Sequence, residues 1–418
     1  MRFTSNIAGV SQELNSDLAQ QSPHARLRYH CRRWRPWRLV SCVGHGSPRG
    51  ESPRFGAGVP ISGSHLGEFL SPWGTAEIRD LGLLETFHSA GGCDIPWVEM
   101  GTGPRDLIAT AKHRLSAISY SHPELQEGLI RAARKAGAEV RRGVTVRKIE
   151  AGSKPIIECS GNGSPERITA RMIVAADGRN SAARKWAGFA SERDEHPYLI
   201  AGVLLEGVSF RSDMCAFVFN PATGTVTGTV PEASGLVRAY FGYPTSAPYR
   251  LQGKEKLPLL LSESAKSSPF LAEAYRNARA VGPLGSFDAN DSWVDHPYKD
   301  GVALMGDAAA TSDPSFGQGM CLVFRDARVL RDALIAHPDW DRAGHSYAEM
   351  HDIYFRRCHT ATRMFRTVFQ EQTPEAQAIR QKALPLIEAD PTRVPDHLFG
   401  GPELPIDDAV RARFFGEC

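Results

Sequence analysis

Gly306 and Asp307 follow a short apolar run, Val302 to Met305, and precede Asp313-Pro314 and the pair Gly317 and Gly319. An apolar run that stops at Gly-Asp reads as a buried parallel strand ending in a loop. A carboxylate there can accept hydrogen bonds from sugar hydroxyls. The glycines let a planar ligand lie against the backbone, and the start of the amphipathic stretch Met320 to Leu334 favours partial negative charge nearby. The plain alternative makes Asp307 the N-cap of an ordinary strand-to-helix loop. A second carboxylate has a similar setting: Ile173-Val174-Ala175-Ala176 runs into Asp177-Gly178, and Ser181 stands where it can cap the helix that carries Arg184. Alone, Asp-Gly is a turn.

Together the two stretches resemble the flavoprotein monooxygenases of the para-hydroxybenzoate hydroxylase fold. That family carries G-D-A-A, a short spacer and P-x-x-G-x-G, which Gly306, Asp307, Ala308, Ala309, Pro314, Gly317 and Gly319 fill without a gap. It also carries D-G-x-x-S-x-x-R ahead of this motif, matched by Asp177, Gly178, Ser181 and Arg184. The resemblance implies that Asp307 holds the ribityl chain of FAD, that the glycines lie under the flavin ring, and that the Asp177 motif borders FAD and the nicotinamide cofactor. A histidine often follows the two alanines in the family; Ala310 stands there instead. The family's arginine beside the flavin is replaced by His122 in Ser121-His122-Pro123-Glu124-Leu125, which is either a cofactor contact or a helix-start histidine.

The implied activity is an FAD-dependent monooxygenase. NADH or NADPH would reduce the flavin, and a C4a-hydroperoxide would pass one oxygen atom to a small organic substrate, aromatic ones included. A separate flavin reductase is an alternative source of reduced flavin. The isoalloxazine carries this chemistry, so no catalytic side chain is assigned. A halogenase or a prenyl reductase is the alternative within flavin chemistry; of the halogenase signature W-x-W-x-I-P only Ile95-Pro96-Trp97 remains, in the wrong order.

The implied fold is α/β with mixed α+β parts. A discontinuous Rossmann-like FAD-binding domain takes residues 64–190 and 281–336, an antiparallel substrate sheet 191–280, and C-terminal helices 337–418. The local patterns agree. Leu66 through Leu84 reads as helical, as does Glu124 to Lys135 with Gly137 as its stop. Val140, Val144, Val146, Ile156-Ile157 and Ile168 alternate as strands. Leu199 to Val208, Cys215 to Phe219, Thr225 to Val230 and Leu236 to Gly242 are short strands between turn residues. Lys254 to Arg279 and the chain beyond Leu334 read as helical, with breaks at Pro391 and Pro405. Trp73 and Trp97 are read as core residues before pocket residues.

One part is missing. A strand followed by G-x-G-x-x-G should open such a chain and seat the pyrophosphate on a helix N-terminus. In residues 1–63 only Gly44-His45-Gly46 approaches it, with no apolar strand expected before it. Residues 24–60 hold eight Arg, no Lys, two Trp and one acid, Glu51. That composition reads as a basic aromatic arm, a disordered extension, or a first βαβ unit lost to a shifted reading frame. The genetic code favours the third. Read one base later, Trp34-Arg35 and Trp37-Arg38 each force a glycine, and CGG arginine codons turn residues 33–38 into G-G-G-P-G-G. Tyr29 and His30 become Ile or Thr, and Cys31 becomes Val or Ala. The chain as written is then expected to hold the pyrophosphate poorly, and an inactive flavoprotein product or a binding protein with a basic arm is the alternative of another class.

The formal net charge of +2 argues against a nucleic-acid partner, and 39 Arg against 10 Lys suggests a GC-rich gene. The eight cysteines show no metal-ligand spacing, which suggests reduced thiols in a cytoplasmic protein. No apolar run suggests membrane association. His351 and His359 are read as lacking carboxylate partners, so no metal is expected. Nothing in the chain indicates an oligomeric state.

Overall fold

The computed structural model describes residues 39–43, 69–161, 165–267 and 269–418. The strands that end at the two candidate turns, Met172–Ala176 and Val302–Leu304, pair in parallel, Ile173 opposite Val302 and Ala175 opposite Leu304. Their side chains alternate between two apolar layers. Ile173, Ala175, Val302 and Leu304 pack towards Ile149 and Ile157 of a small antiparallel sheet, Thr145–Glu150, Ile156–Ser160 and Glu166–Thr169. Met172, Val174 and Ala303 pack towards Leu330, Trp340 and Tyr347 on two helices, Gly319–Ala336 and Trp340–Phe369. Burial on both faces is why these strands read as continuous apolar runs.

Leu39–Val43 pairs beside Met172–Ala176 at the edge of the same sheet. This corrects the expectation that no strand precedes Gly44-His45-Gly46: Leu-Val-Ser-Cys-Val is rich enough in β-forming residues to add to an apolar neighbour. The remainder of the proposed shifted stretch, 24–38 and 44–62, lies outside the described residues.

The second layer is an eight-stranded sheet. Tyr198–Glu206, Met214–Asn220, Thr225–Pro231 and Val237–Pro244 are its antiparallel centre, within two residues of their expected bounds. Trp97–Glu99 extends it by pairing in parallel with Met214–Asn220, a pairing between residues too distant in sequence for local pattern to show. One face packs on Leu257–Ser267, where Leu260 is buried. Phe217 and Phe219, two apart on one strand, share the other face.

The expected helix from Leu66 to Leu84 is instead a short strand, Phe69–Leu70, then Pro72–Asp80, with a further helix at Leu84–Ser89. Pro72, at the first helical position, starts the helix there. The helix expected from Glu124 begins at His122 and ends at Lys135. Trp340–Phe369, 30 residues and so about 45 Å long, braces the whole candidate site. No helix among the described residues is long and apolar enough to cross a membrane.

Candidate functional site

The parallel pairing puts Asp177 and Gly306 side by side at the carboxyl ends of adjacent strands, where open α/β sheets bind ligands. Met305 continues the ladder, its N–H donating to Ala175 O at 2.9 Å. Gly306 then turns with φ +59°, and a Cβ there would lie 3.1 Å from Val323 Cγ2, so a larger residue would be both strained and crowded.

Asp307 does not cap a helix; the single helical turn Gly306–Ala308 has no side-chain cap. Among the described residues its half-buried carboxylate accepts no hydrogen bond. Burial pushes its pKa up, against the pull of Arg179 and Arg184. A half-buried carboxylate between two cations, with no donor among the described residues, leaves its oxygens open to solvent or to an incoming donor.

The Asp177 motif is used locally. Asp177 accepts from Ser181 Oγ at 2.5 Å and from Ala183 N at 3.0 Å, while Ser181 Oγ accepts from Arg184 N at 2.9 Å. These bonds cap the helix Ala182–Trp186. Gly178, with φ +81°, makes the turn possible. Arg184 then reaches across, donating to Arg179 O at 2.5 Å and to Ala308 O at 3.5 Å. Burial lowers its pKa, opposed by Asp177 and Asp307. One guanidinium thus ties the first motif to the second.

Beyond Ala310, buried in the strand Ala310–Thr311, the loop is held from below. Asp313 caps the turn Pro314–Phe316 by accepting from Ser315 N at 2.9 Å. Gly317 follows in the left-handed conformation, φ +63°, with Phe69 Cδ1 3.5 Å from where a Cβ would sit. Gly319 opens the 18-residue helix, so the peptide N–H groups of its first turn face the same loop. Gln318, between the glycines, accepts from Trp73 Nε1 at 3.0 Å and donates to Phe316 O at 2.7 Å. Trp73 is therefore a core residue that braces the site.

Sequence reading missed the network under this loop. Arg366, on the long helix, pairs through Nε with Asp313 at 2.9 Å, and through its other nitrogens with Asp291 at 3.1 Å and Asp194 at 3.3 Å. Burial lowers the Arg366 pKa, but Asp313 and Asp291 outweigh it and the net direction is up; burial pushes Asp313 up against the pull of Arg366. His359 does have carboxylate partners: Nδ1 lies 2.8 Å from Asp291 and Nε2 3.6 Å from Asp194. His351 also has one, Asp352 at 3.7 Å. Ligand atoms of Asp194, Asp291 and His359 lie within 4.8 Å of one another, a spacing open to a cation. The Arg366 guanidinium already occupies both carboxylates, so the cluster reads as an ion-pair network.

Asp326 was missed too. It accepts from Gly306 N at 2.7 Å and from the Tyr354 hydroxyl. A signal existed: Leu322, Asp326, Leu330 and Ala333 share the buried face of one helix, and an acid on that face calls for partners. His122 stands at the first position of its helix, its ring edge-on to Tyr120 at 6.1 Å. It is thus placed on the wall of the Phe87, Tyr120 and Phe324 cluster.

A narrow aromatic cleft of about 20 Å³ opens beside Gly317, between Phe69, Phe217, Phe219, Phe316 and Phe399. A larger one, about 310 Å³, is lined by residues drawn from 188–192 and 294–299 and includes neither glycine of the loop. The smaller cleft is the one that adjoins the Gly317 turn.

Comparison with known proteins agrees with this geometry. Residues 76–366 match the family model described as FAD binding domain. The 3-demethoxyubiquinol 3-hydroxylase of Escherichia coli is 27% identical over 201 residues, 46% of this chain and 47% of that protein. The chain spans about half the length of the curated relatives it matches. Among solved structures, a triple mutant of the flavin-dependent brominase Bmp2 superposes with TM-score 0.67 at 18% identity, covering 93% of this chain and 94% of that one. The p-nitrophenol 4-monooxygenase PnpA of Pseudomonas putida gives 0.66 at 17%, covering 90% and 94%. These likenesses share the fold. With the family model spanning most of the chain and both turn motifs in place, the chain belongs to the FAD-binding domain family.

Proposed function

We propose that the chain is an FAD-dependent monooxygenase that uses NADH or NADPH to insert one oxygen atom of O2 into a small organic substrate. The overall reaction balances as NAD(P)H, a proton, O2 and substrate giving NAD(P)+, water and a hydroxylated product. The observation that carries this reading is the Asp307 carboxylate, half-buried and without a hydrogen-bond donor among the described residues, at the paired strand ends. Residues 64–190 and 281–336 would form the cofactor-binding part, 191–280 the roof and 337–418 the helical brace.

The described residues fit the ribityl and ring portion of the cofactor. Asp307 would accept hydrogen bonds from ribityl hydroxyls. Gly317 and Gly319 would let the ring approach, and the N-terminus of Gly319–Ala336 would stabilise negative charge on it. Gly306 and Ala308 shape the turn around Asp307, and Pro314 sets the turn before Gly317. Asp177, Gly178, Ser181 and Arg184 would hold the neighbouring strand end in register, and His122 is proposed as a contact from the adjoining wall. Bound flavin would supply electron transfer and oxygen activation. The phenylalanine cleft would keep water from the reacting centre.

The test is direct. Purified chain is titrated with FAD by flavin fluorescence, then assayed for NADH and NADPH oxidation with a panel of aromatic compounds, the products being weighed by mass spectrometry. A product heavier by one oxygen atom is expected. A folded chain that leaves flavin fluorescence unchanged would sink the reading, and a brominated product in bromide would replace it with halogenation.

A further inference from the structure

We propose that His296 and His345 together bind one divalent transition-metal ion of the zinc or nickel kind, which joins the long helix to the segment before the strand Tyr298–Lys299. The site is separate from the candidate cofactor site and rests on no part of the flavin reading.

His296 lies between the strands Asp291–Trp293 and Tyr298–Lys299, and His345 lies on Trp340–Phe369. Their rings meet at the surface, His296 Nε2 standing 2.8 Å from His345 Nδ1. The ring centroids are 5.0 Å apart and the planes are tilted by 32°. With zinc–nitrogen bonds of about 2.0–2.1 Å and a tetrahedral angle, two imidazole centroids stand about 5.2 Å apart. The rings are therefore already at the separation a shared ion requires, and each has only to pivot.

The surroundings orient both rings. His345 Nε2 faces Asp341 Oδ2 at 3.9 Å, one turn back on the same helix. A hydrogen on Nε2 points at that carboxylate and leaves Nδ1 bare, the way ligating histidines are held by a carboxylate behind them. Asp341 is itself fixed, since its other oxygen accepts from the Tyr298 hydroxyl at 2.9 Å. The Tyr298 ring stands edge-on to His345, centroids 5.0 Å apart at 82°. His296 has a left-handed backbone, φ +53°, and its N–H donates to both oxygens of Asp352 at 3.0 and 3.2 Å. A histidine in that conformation is strained and persists where its neighbours fix it.

Imidazole nitrogen suits zinc, nickel and copper, whereas magnesium and calcium call for oxygen ligands. His296 also lines the cleft of about 310 Å³, from which water can fill the remaining coordination positions. On binding, the hydrogen between the rings moves to the outer nitrogen of His296, and both facing nitrogens become ligands. The consequence is mechanical. Tyr298–Lys299 pairs with Val302–Leu304, the strand that ends at the Gly306 turn, so the ion would tie that sheet edge to the helix packed on it.

The experiment is calorimetric titration of the full chain, first stripped of metal with a chelator, with zinc, nickel and magnesium chlorides at pH 7.5. Zinc and nickel should bind and magnesium should not. His345→Ala and His296→Asn, the second chosen because asparagine tolerates the left-handed backbone, should each weaken zinc at least about tenfold. Asp341→Asn, which can still accept from Tyr298, should weaken zinc about tenfold. Urea unfolding gives a second reading: zinc should raise the midpoint of the wild-type chain and of neither histidine variant. Circular dichroism confirms that each variant is folded. Zinc affinity unchanged in either histidine variant overturns the proposal, as does magnesium binding equal to zinc or no zinc binding to the wild-type chain. The two rings would then be a hydrogen-bonded pair and nothing more.

Discussion

The backbone N–H of Gly306 donates to Asp326 Oδ2 at 2.7 Å, and Tyr354 donates its hydroxyl to the other oxygen of the same buried carboxylate. The turn that presents Asp307 is therefore pinned by a side chain 20 residues later in the chain and braced by the long helix beyond it. Burial pushes the Asp326 pKa up, against the hydrogen bonds it accepts, so the geometry of the turn is maintained at an electrostatic cost.

Asp326→Ala should destabilise the chain by about 2–4 kcal/mol, because it orphans a buried N–H and a buried hydroxyl together. Urea denaturation measures this. Asp326→Asn, which can still accept from one donor, should recover part of the loss; equal stability of all three proteins would show that the bonds are incidental.

Asp307→Ala should separate folding from cofactor binding. Since Asp307 accepts no hydrogen bond among the described residues and its carboxylate is desolvated, its removal should leave the denaturation midpoint unchanged or slightly raised. FAD affinity should fall by about tenfold or more, the worth of a charged hydrogen bond. A matched loss of stability and affinity would make Asp307 a structural residue.

Arg366→Met should cost about 3–5 kcal/mol, leaving Asp313 and Asp291 buried without their cation. Arg366→Lys should rescue little, since a single ammonium cannot span the three carboxylates that the planar guanidinium reaches. Thermal or urea unfolding of the pair of variants checks this, and full rescue by lysine would refute the geometric argument.

His196 and His397 make stability depend on pH. Burial lowers both pKa values from 6.5, for His196 against the pull of Asp313 and for His397 against that of Asp396. The unfolded chain takes up protons near pH 6.5 while the folded chain resists, so stability is full above that pH and declines as pH falls below it. Unfolding midpoints measured from pH 7.5 down to 5 should show this slope, and His196→Asn should flatten part of it. A wild-type midpoint that rises on acidification would reverse the sign.

Much of the site was legible from short stretches. The strands ending at Ala176 and Leu304, the Ser181 cap and the left-handed Gly317 follow from apolar runs, side-chain capping and the absence of a Cβ, all set within a few residues. The four central strands of the roof were marked by the turn residues between them. The start of Pro72–Asp80 was misplaced, although Pro72 itself was the signal. Leu39–Val43 was passed over because its isolated pattern is weak; pairing with Met172–Ala176 is what defines it.

The sequence alone determined the local frame of the candidate site: a carboxylate after a buried strand, glycines where the backbone must turn, and a helix to follow. These are local requirements, met by neighbouring residues whatever the remainder of the chain does. Only the tertiary structure decided what those residues face. Asp313 and Arg366 are 53 residues apart, and Arg184 and Ala308 are 124 apart. Phe69 meets Phe217 across two separate sheets. Such pairings arise from how helices and sheets pack to bury apolar surface, and short-range spacing carries no record of them. That packing left Asp307 an acceptor without a donor, and it surrounded Ser315 with phenylalanine.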